Sequence, residues 1–134
     1  MNAKEYLSQA FWLDQRINSK LEQLESLRNL SMKVTTSYEQ ERVNKTKEKS
    51  PMENAIIKLL DLEREIDENI DELVDLKRKI MEIINSIESD EYRLVLEMRY
   101  LNFKTWEDIS ESLNYSYRQV HRIHGEALKM VKVS

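Results

Sequence analysis

The sequence contains almost none of the residues that interrupt helices and none that form disulfides. Its 134 residues include one glycine, one proline and no cysteine. The absence of cysteine excludes disulfides and cysteine-based zinc sites. No apolar run approaches the roughly 20 residues needed to cross a membrane, and the N-terminus lacks an apolar signal core. We therefore expect a soluble, cytoplasmic protein with no membrane partner.

Charged and helix-forming residues fill the chain instead. Charged side chains make up 34% of it, and no segment alternates apolar and polar residues as a half-buried strand does. Such a composition is typical of helix throughout, with a coiled coil. The predicted fold class is all-α: a long antiparallel helical hairpin that forms a coiled-coil stem, followed by a small three-helix, helix-turn-helix unit.

The charges are unevenly distributed. The net charge of −4 argues against a protein that coats DNA without selectivity. Residues 51–89 carry 5 basic and 11 acidic side chains, whereas residues 90–134 carry 7 of each. Residues 116–134 contain four basic side chains and a single acidic one, Glu126. An acidic stem that repels phosphate would orient this basic end on DNA.

Residues 3 to about 30 show one apolar stripe, which predicts an amphipathic first helix. Phe11 and Trp12 lie off the stripe, and they either pack elsewhere on the protein or form a partner-binding patch. The stripe consists of Tyr6, Ala10, Leu13, Ile17, Leu21, Leu24 and Leu27.

Residues 31–50 interrupt this periodicity. Serine, threonine, asparagine and β-branched residues weaken helix here. We predict a flexible loop near 31–50, which is either disordered or makes auxiliary phosphate contacts. Its second half is basic, with Arg42, Lys45, Lys47 and Lys49.

Ser50 and Pro51 suit the N-cap and first position of a second helix that continues to about Ser89. It would span roughly 39 residues, or about 58 Å. Its seven-residue repeat predicts a left-handed coiled coil, in which Asn69 either sets the register or is replaced in the seam by Ile70. The first helix is shorter, so the uncovered seam predicts a homodimer through the stem. The repeat consists of Leu59, Ile66, Leu73, Ile80 and Ile87, with Leu62, Asn69, Leu76 and Ile83.

No residue set is typical of catalysis. The carboxylates of the second helix lie mostly off its apolar seam, and the chain has no Glu-x-x-His of the kind that binds metals in helical bundles. His121 and His124 are three residues apart, without a carboxylate on the same face. The sequence lacks a nucleophile–base pair and a phosphate loop. We expect no enzyme activity, no metal and no cofactor.

Three short helices follow the boundary at residues 88–90, so we predict a stem over residues 1–89 and a second domain over residues 90–134. Thr105 and Ser116 suit the N-caps of the last two helices, which meet at Asn114 and Tyr115. The predicted inner faces are Leu94, Val95, Met98 and Leu101 in the third helix, Trp106, Ile109 and Leu113 in the fourth, and Val120, Ile123, Ala127, Leu128 and Val131 in the fifth.

This inner face leaves long polar side chains on the outer side of the fifth helix. A helix that reads the major groove needs such side chains near its N-terminus. Each of them is otherwise an ordinary solvated side chain, and His124 is predicted at the rim of the packing. The groove-facing candidates are Tyr117, Arg118, His121 and Arg122; Gln119 is a candidate for adenine or phosphate, and Ser116, Lys104, Thr105 and Lys129 are candidates for phosphate.

About a third of the chain resembles region 4 of bacterial RNA polymerase sigma factors. The matching segments are 96–101 (LEMRYL), 105–110 (TWEDIS) and 120–129 (VHRIHGEALK). The whole chain is also similar to small proteins of Gram-positive phages and prophages, related to the ArpU-type regulators. We do not expect a complete sigma factor, because the chain lacks room for the promoter-melting region.

The resemblance implies a regulator of phage or prophage transcription, often of late genes, with double-stranded DNA as its partner. It places DNA contacts at Tyr117, Arg118, His121 and Arg122. The alternative is a coiled-coil adaptor that docks on RNA polymerase or another phage protein without reading DNA. The acidic stem and the uncovered seam motivate this alternative.

Overall fold

A computed structural model describes residues 1–40 and 51–133, with the side chains of 1–33 and 51–133. Every regular element in these ranges is helical, so the all-α class is confirmed. In the same ranges no helix has the length and apolar character of a membrane span. The elements are α1 (Ala3–Gln40), α2 (Pro51–Asn85), α3 (Asp90–Leu96), a π-helical turn (Glu97–Leu101), α4 (Trp106–Leu113) and α5 (Tyr117–Met130).

Helix α1 is longer than the sequence predicts. It continues to Gln40, so the predicted loop is wrong for residues 31–40. The residues there lower helix propensity by at most about 0.7 kcal/mol each, and no glycine or proline interrupts them. The rest of the predicted loop lies outside the described residues. Its basic residues, the candidates for auxiliary phosphate contacts, lie there too.

Helix α2 ends at Asn85, about four residues earlier than predicted. The carbonyls of Ile83 and Ile84 accept hydrogen bonds from the N–H groups of Ser86 and Ile87. Arg93 Nη1 donates to the carbonyl of Ile87 at 2.8 Å. Ser89 then caps α3, because its hydroxyl accepts a hydrogen bond from the Tyr92 N–H. Ile87 stays buried although it lies outside the helix.

Contacts divide the chain into two compact units. The head unit comprises Met1–Asp14 and Glu72–Ser134, and the shaft unit comprises Gln15–Asp71. This division differs from the predicted boundary at residue 89, because the start of α1 and the end of α2 share a core with the later helices. That core consists of Leu7, Ala10, Ile80, Ile84, Ile87, Leu96, Tyr100 and Ala127.

Within the shaft unit, α1 and α2 lie antiparallel. Lys20 donates a hydrogen bond to Asn69, and Arg28 pairs with Glu63 at 3.1 Å. Asn69 therefore has a partner within its own chain. Leu21, which the predicted stripe includes, is 44% exposed. An exposed ion pair such as Arg28–Glu63 contributes at most about 1 kcal/mol. The buried residues of the unit are Ile17, Leu24, Ala55 and Ile66.

A π-helical turn continues the third helix. Asn102 N–H donates to the carbonyl of Glu97, five residues earlier, at 3.0 Å. A π turn rotates the residues around it relative to an α-helix. In the α-helical part before the turn, Leu96 is fully buried, whereas Leu94, predicted on the inner face, is 42% exposed.

Candidate nucleic-acid interface

Two hydroxyl caps start the helices of the candidate interface, as the sequence predicts. The Thr105 hydroxyl accepts a hydrogen bond from the Asp108 N–H, and the Ser116 hydroxyl accepts one from the Gln119 N–H, each at 3.1 Å. Each hydroxyl satisfies one of the amide groups that a helix leaves unpaired at its start. The caps therefore determine where α4 and α5 begin.

The turn between α4 and α5 is held by internal hydrogen bonds. Asn114 adopts the left-handed conformation with φ 55°, which asparagine tolerates better than most residues. Tyr115 N–H donates to the Ser110 carbonyl, and the Ser110 hydroxyl donates to the Tyr115 carbonyl, each at 3.0 Å. These bonds fix the direction in which α5 leaves the turn.

A small core fixes the rotation of α5. Met98, Ile109 and Val120 are buried together, with Trp106 and Leu113 packed against them. Because side chains three and four positions apart share one side of a helix, the inward side of α5 continues through Ile123 and Ala127, both fully buried. The opposite side of α5 faces solvent.

The solvent side of α5 carries the predicted basic residues. Arg118, Arg122 and Lys129 are exposed, and their spacings of four and eleven residues are close to one and three helical turns. Tyr117 is 53% exposed beside them. Ser116 at the cap is exposed and Gln119 is half-buried. Lys104 and Thr105 are exposed as well, just before α4 rather than on α5.

The two arginines of this face differ in their surroundings. Arg122 pairs with Glu126 at 3.3 Å, and Glu126 also accepts a hydrogen bond from the Tyr92 hydroxyl at 2.8 Å. This hydrogen bond, together with the Arg122 and Lys129 cations, lowers the pKa of Glu126 and keeps it ionised at neutral pH. Arg118 pairs with no carboxylate among residues 1–33 and 51–133. Arg118 is thus the freer of the two arginines.

Both histidines of α5 are at least partly buried. His121 was a groove-facing candidate, but its ring is half-buried, with centroids 4.6 Å from the Trp106 ring and 4.4 Å from the Tyr117 ring. The prediction of His124 at the rim is wrong. That side chain is only 7% exposed, and its Nε2 lies 2.6 Å from the Tyr100 hydroxyl oxygen.

The buried pair of Tyr100 and His124 is neutral near pH 7. Burial raises the pKa of Tyr100 to about 12. Burial, with the Lys4 cation next in importance, lowers the pKa of His124 to about 4, from an ordinary value near 6.5. Because its folded-state pKa is below the unfolded value, the unfolded chain binds more protons between these values, and stability decreases as the pH falls through that window.

We expect this histidine to make the fold sensitive to mild acid. Between pH 7 and pH 4.5, it should remove about 2 kcal/mol from the free energy of unfolding. Urea unfolding at both pH values would measure this loss in the wild type and in His124→Gln, whose amide does not titrate. The wild type and His124→Gln have the same carboxylates. The difference between their slopes of unfolding free energy against pH therefore reports on His124. Parallel pH profiles would contradict the assignment.

One residue of this region was missed as a site residue. Arg99 lies in the segment that resembles the sigma family, and its guanidinium carbon is 4.3 Å from the centroid of the Trp106 ring. Its Nη1 donates to the Lys104 carbonyl at 3.0 Å. Arg99 thereby connects the π-helical turn to the start of α4. An arginine seven residues before a tryptophan was the available signal.

These features define an all-α protein in which two short capped helices, α4 and α5, meet at a tight turn and expose a basic helix face. The chain belongs to the family described as "Protein of unknown function (DUF722)", whose model matches residues 13–133. No curated protein and no solved structure matches the chain. The family description assigns no activity.

Proposed function

We propose that the protein is a sequence-specific DNA-binding regulator of phage or prophage transcription that reads the major groove with the helix over residues 116–133. The basic, exposed face of α5, centred on Arg118 and Arg122, carries this proposal. The resemblance to sigma region 4 supports it. The fixed turn before α5 also supports it, because a reading helix must be presented rigidly by the helix that precedes it.

In this proposal, the side chains of the candidate interface have roles that follow from their chemistry. Arg118 and Arg122 present guanidinium groups, which bind guanine O6 and N7 in bidentate fashion. Ser116 and the start of α5 bind a backbone phosphate, because unpaired amide groups and the helix dipole attract anions there. Lys129, Lys104 and Thr105 add phosphate contacts, and Tyr117 and Gln119 contact the groove edge or the backbone.

The proposal is tested by selecting DNA fragments with the full chain from a random or phage-genome pool. We expect one enriched motif, with binding that falls steeply with salt. Four phosphate contacts would reduce the affinity by about 100-fold between about 50 and 200 mM salt. The absence of any enriched motif, or an affinity independent of salt, would argue against DNA reading.

The second candidate is a coiled-coil adaptor that docks on RNA polymerase or another phage protein. Exposed apolar residues on α2 favour it. In the head unit, Val74 and Met81 are seven residues apart and are 62% and 48% exposed; in the shaft unit, Leu60 is 56% exposed. Retention of purified polymerase by a chain that selects no DNA would favour this candidate over the first.

A further inference from the structure

One cavity of the head unit collects every phenylalanine and tryptophan of the chain. The chain has two of each, and the cavity, of about 320 Å³, lies between the start of α1, the π-helical turn and the start of α4. A tyrosine supplies a fifth ring. The rings that line it are Phe11, Trp12, Tyr100, Phe103 and Trp106.

The rings form a buried floor and an exposed rim. Tyr100 is 4% exposed, whereas Phe11 is 36% and Trp12 is 65% exposed. Phe11 makes edge-to-face contacts with Trp12 and Phe103, with centroids 5.3 and 5.9 Å apart. These contacts hold the rim together but leave much of it facing water. Large aromatic side chains left exposed together are typical of binding sites rather than of ordinary surface.

The charge of the cavity has one sign. Lys4 and Arg99 line it, and no carboxylate does. Neither cation forms a salt bridge within the part of the chain that the structure describes. Both cations help to lower the pKa of His124, next to Tyr100, so their field extends to the cavity floor. This unpaired positive pair stands out in a chain with a net charge of −4.

We propose that this cavity binds a small aromatic carboxylate, whose ring packs among the cavity's aromatic side chains and whose carboxylate pairs with Arg99 and Lys4. The volume lies at the lower end of the range for small-molecule sites, about 300–1,000 Å³. A guanidinium matches a planar carboxylate in geometry. The two cations repel a cationic ligand that aromatic faces would otherwise attract. This binding does not depend on DNA recognition.

Tryptophan fluorescence can report ligand binding in this cavity, because both tryptophans of the chain line it. Titration of the full-length chain with 3-phenylpropionate should change the tryptophan fluorescence to saturation. The neutral amide, 3-phenylpropanamide, keeps the ring and loses the charge, so it should bind at least about 10-fold more weakly. The amine, 3-phenylpropylamine, should bind more weakly still, because both cations repel it.

Two variants test the cations separately. Arg99→Met and Lys4→Met keep the aliphatic stems and remove the charges, and each should weaken 3-phenylpropionate binding, Arg99→Met by about 10-fold. Lys58→Met removes an exposed cation of the shaft unit and should leave the affinity unchanged. Lys4 is exposed, so its variant still decides the question if Arg99→Met fails to fold, which circular dichroism would show.

Several results would overturn the proposal. No saturation by about 20 mM 3-phenylpropionate would remove the site. Equal affinity for the acid and the amide, or unchanged affinity in both cavity variants, would remove the role of the cations. Tighter binding of acetyl-glycyl-phenylalanine than of 3-phenylpropionate, by about 10-fold or more, would assign the cavity to a peptide C-terminus instead of a small molecule.

Discussion

Replacing Arg118 and Arg122 together by alanine is expected to weaken binding to the selected DNA by about 100-fold or more. Each bidentate arginine–guanine contact contributes about 1–3 kcal/mol of discrimination, and removing the charges also reduces the counterion release that favours binding. Competition binding at fixed salt, followed by a salt titration, measures both effects. The slope of log affinity against log salt should become shallower as the affinity falls.

The matched control is Arg64→Ala with Arg78→Ala. This pair removes the same two charges from α2, where each arginine forms an exposed pair with an aspartate one turn earlier. We expect less than about a threefold change in DNA affinity, because both arginines belong to α2 rather than to the reading helix and such exposed pairs contribute little. If both double variants lose the same affinity, net charge rather than a reading face explains the binding.

The single variants sharpen the assignment. Arg122 shares its charge with Glu126, whereas Arg118 has no such partner in the described residues. Arg118→Ala should therefore cost more affinity than Arg122→Ala, and it should relax selection at one base position of the enriched motif. A double variant that binds within about threefold of the wild type would sink the proposal that α5 reads DNA.

Replacing Leu96 by alanine is expected to destabilise the fold by about 3 kcal/mol. The side chain is fully buried in the core of the head unit. Buried leucine-to-alanine changes cost about 2–5 kcal/mol, because apolar contacts are lost and a cavity remains. Urea unfolding followed by circular dichroism would measure the change in the free energy of unfolding.

Leu94→Ala provides the control within the same helix. Leu94 is 42% exposed, so its truncation should cost less than about 1 kcal/mol. The two variants remove the same atoms two residues apart, and only the burial differs. The inner face predicted from the sequence includes Leu94 and not Leu96, and it would reverse the order. Equal losses would contradict the burial of Leu96 and the exposure of Leu94.

Local signals predicted the C-terminal helices closely. The hydroxyl caps at Thr105 and Ser116 and the left-handed turn at Asn114 depend on residues within four positions of one another. The inner face of α5 followed from helical spacing, and Val120, Ile123 and Ala127 are buried as predicted. Capping and periodicity are local properties of a chain, so the sequence alone reveals them.

The longer helices show where periodicity is insufficient. Leu7 is fully buried although it lies off the predicted stripe, and Leu21 is exposed although it lies on it. Helical spacing identifies an apolar side, but the neighbouring elements decide which residues of that side become covered. The end of α1 was missed because a weak helix propensity does not by itself terminate a helix without glycine or proline.

By itself, the sequence determined the helical class, the two capped helices and the basic side of α5, because composition, spacing and caps act over a few residues. Tertiary structure alone decided that Tyr100 meets His124 and that Phe11 meets Phe103. Those contacts join segments 24 and 92 residues apart in the numbering. They depend on how helices that are distant in the sequence pack together, which no local pattern reveals.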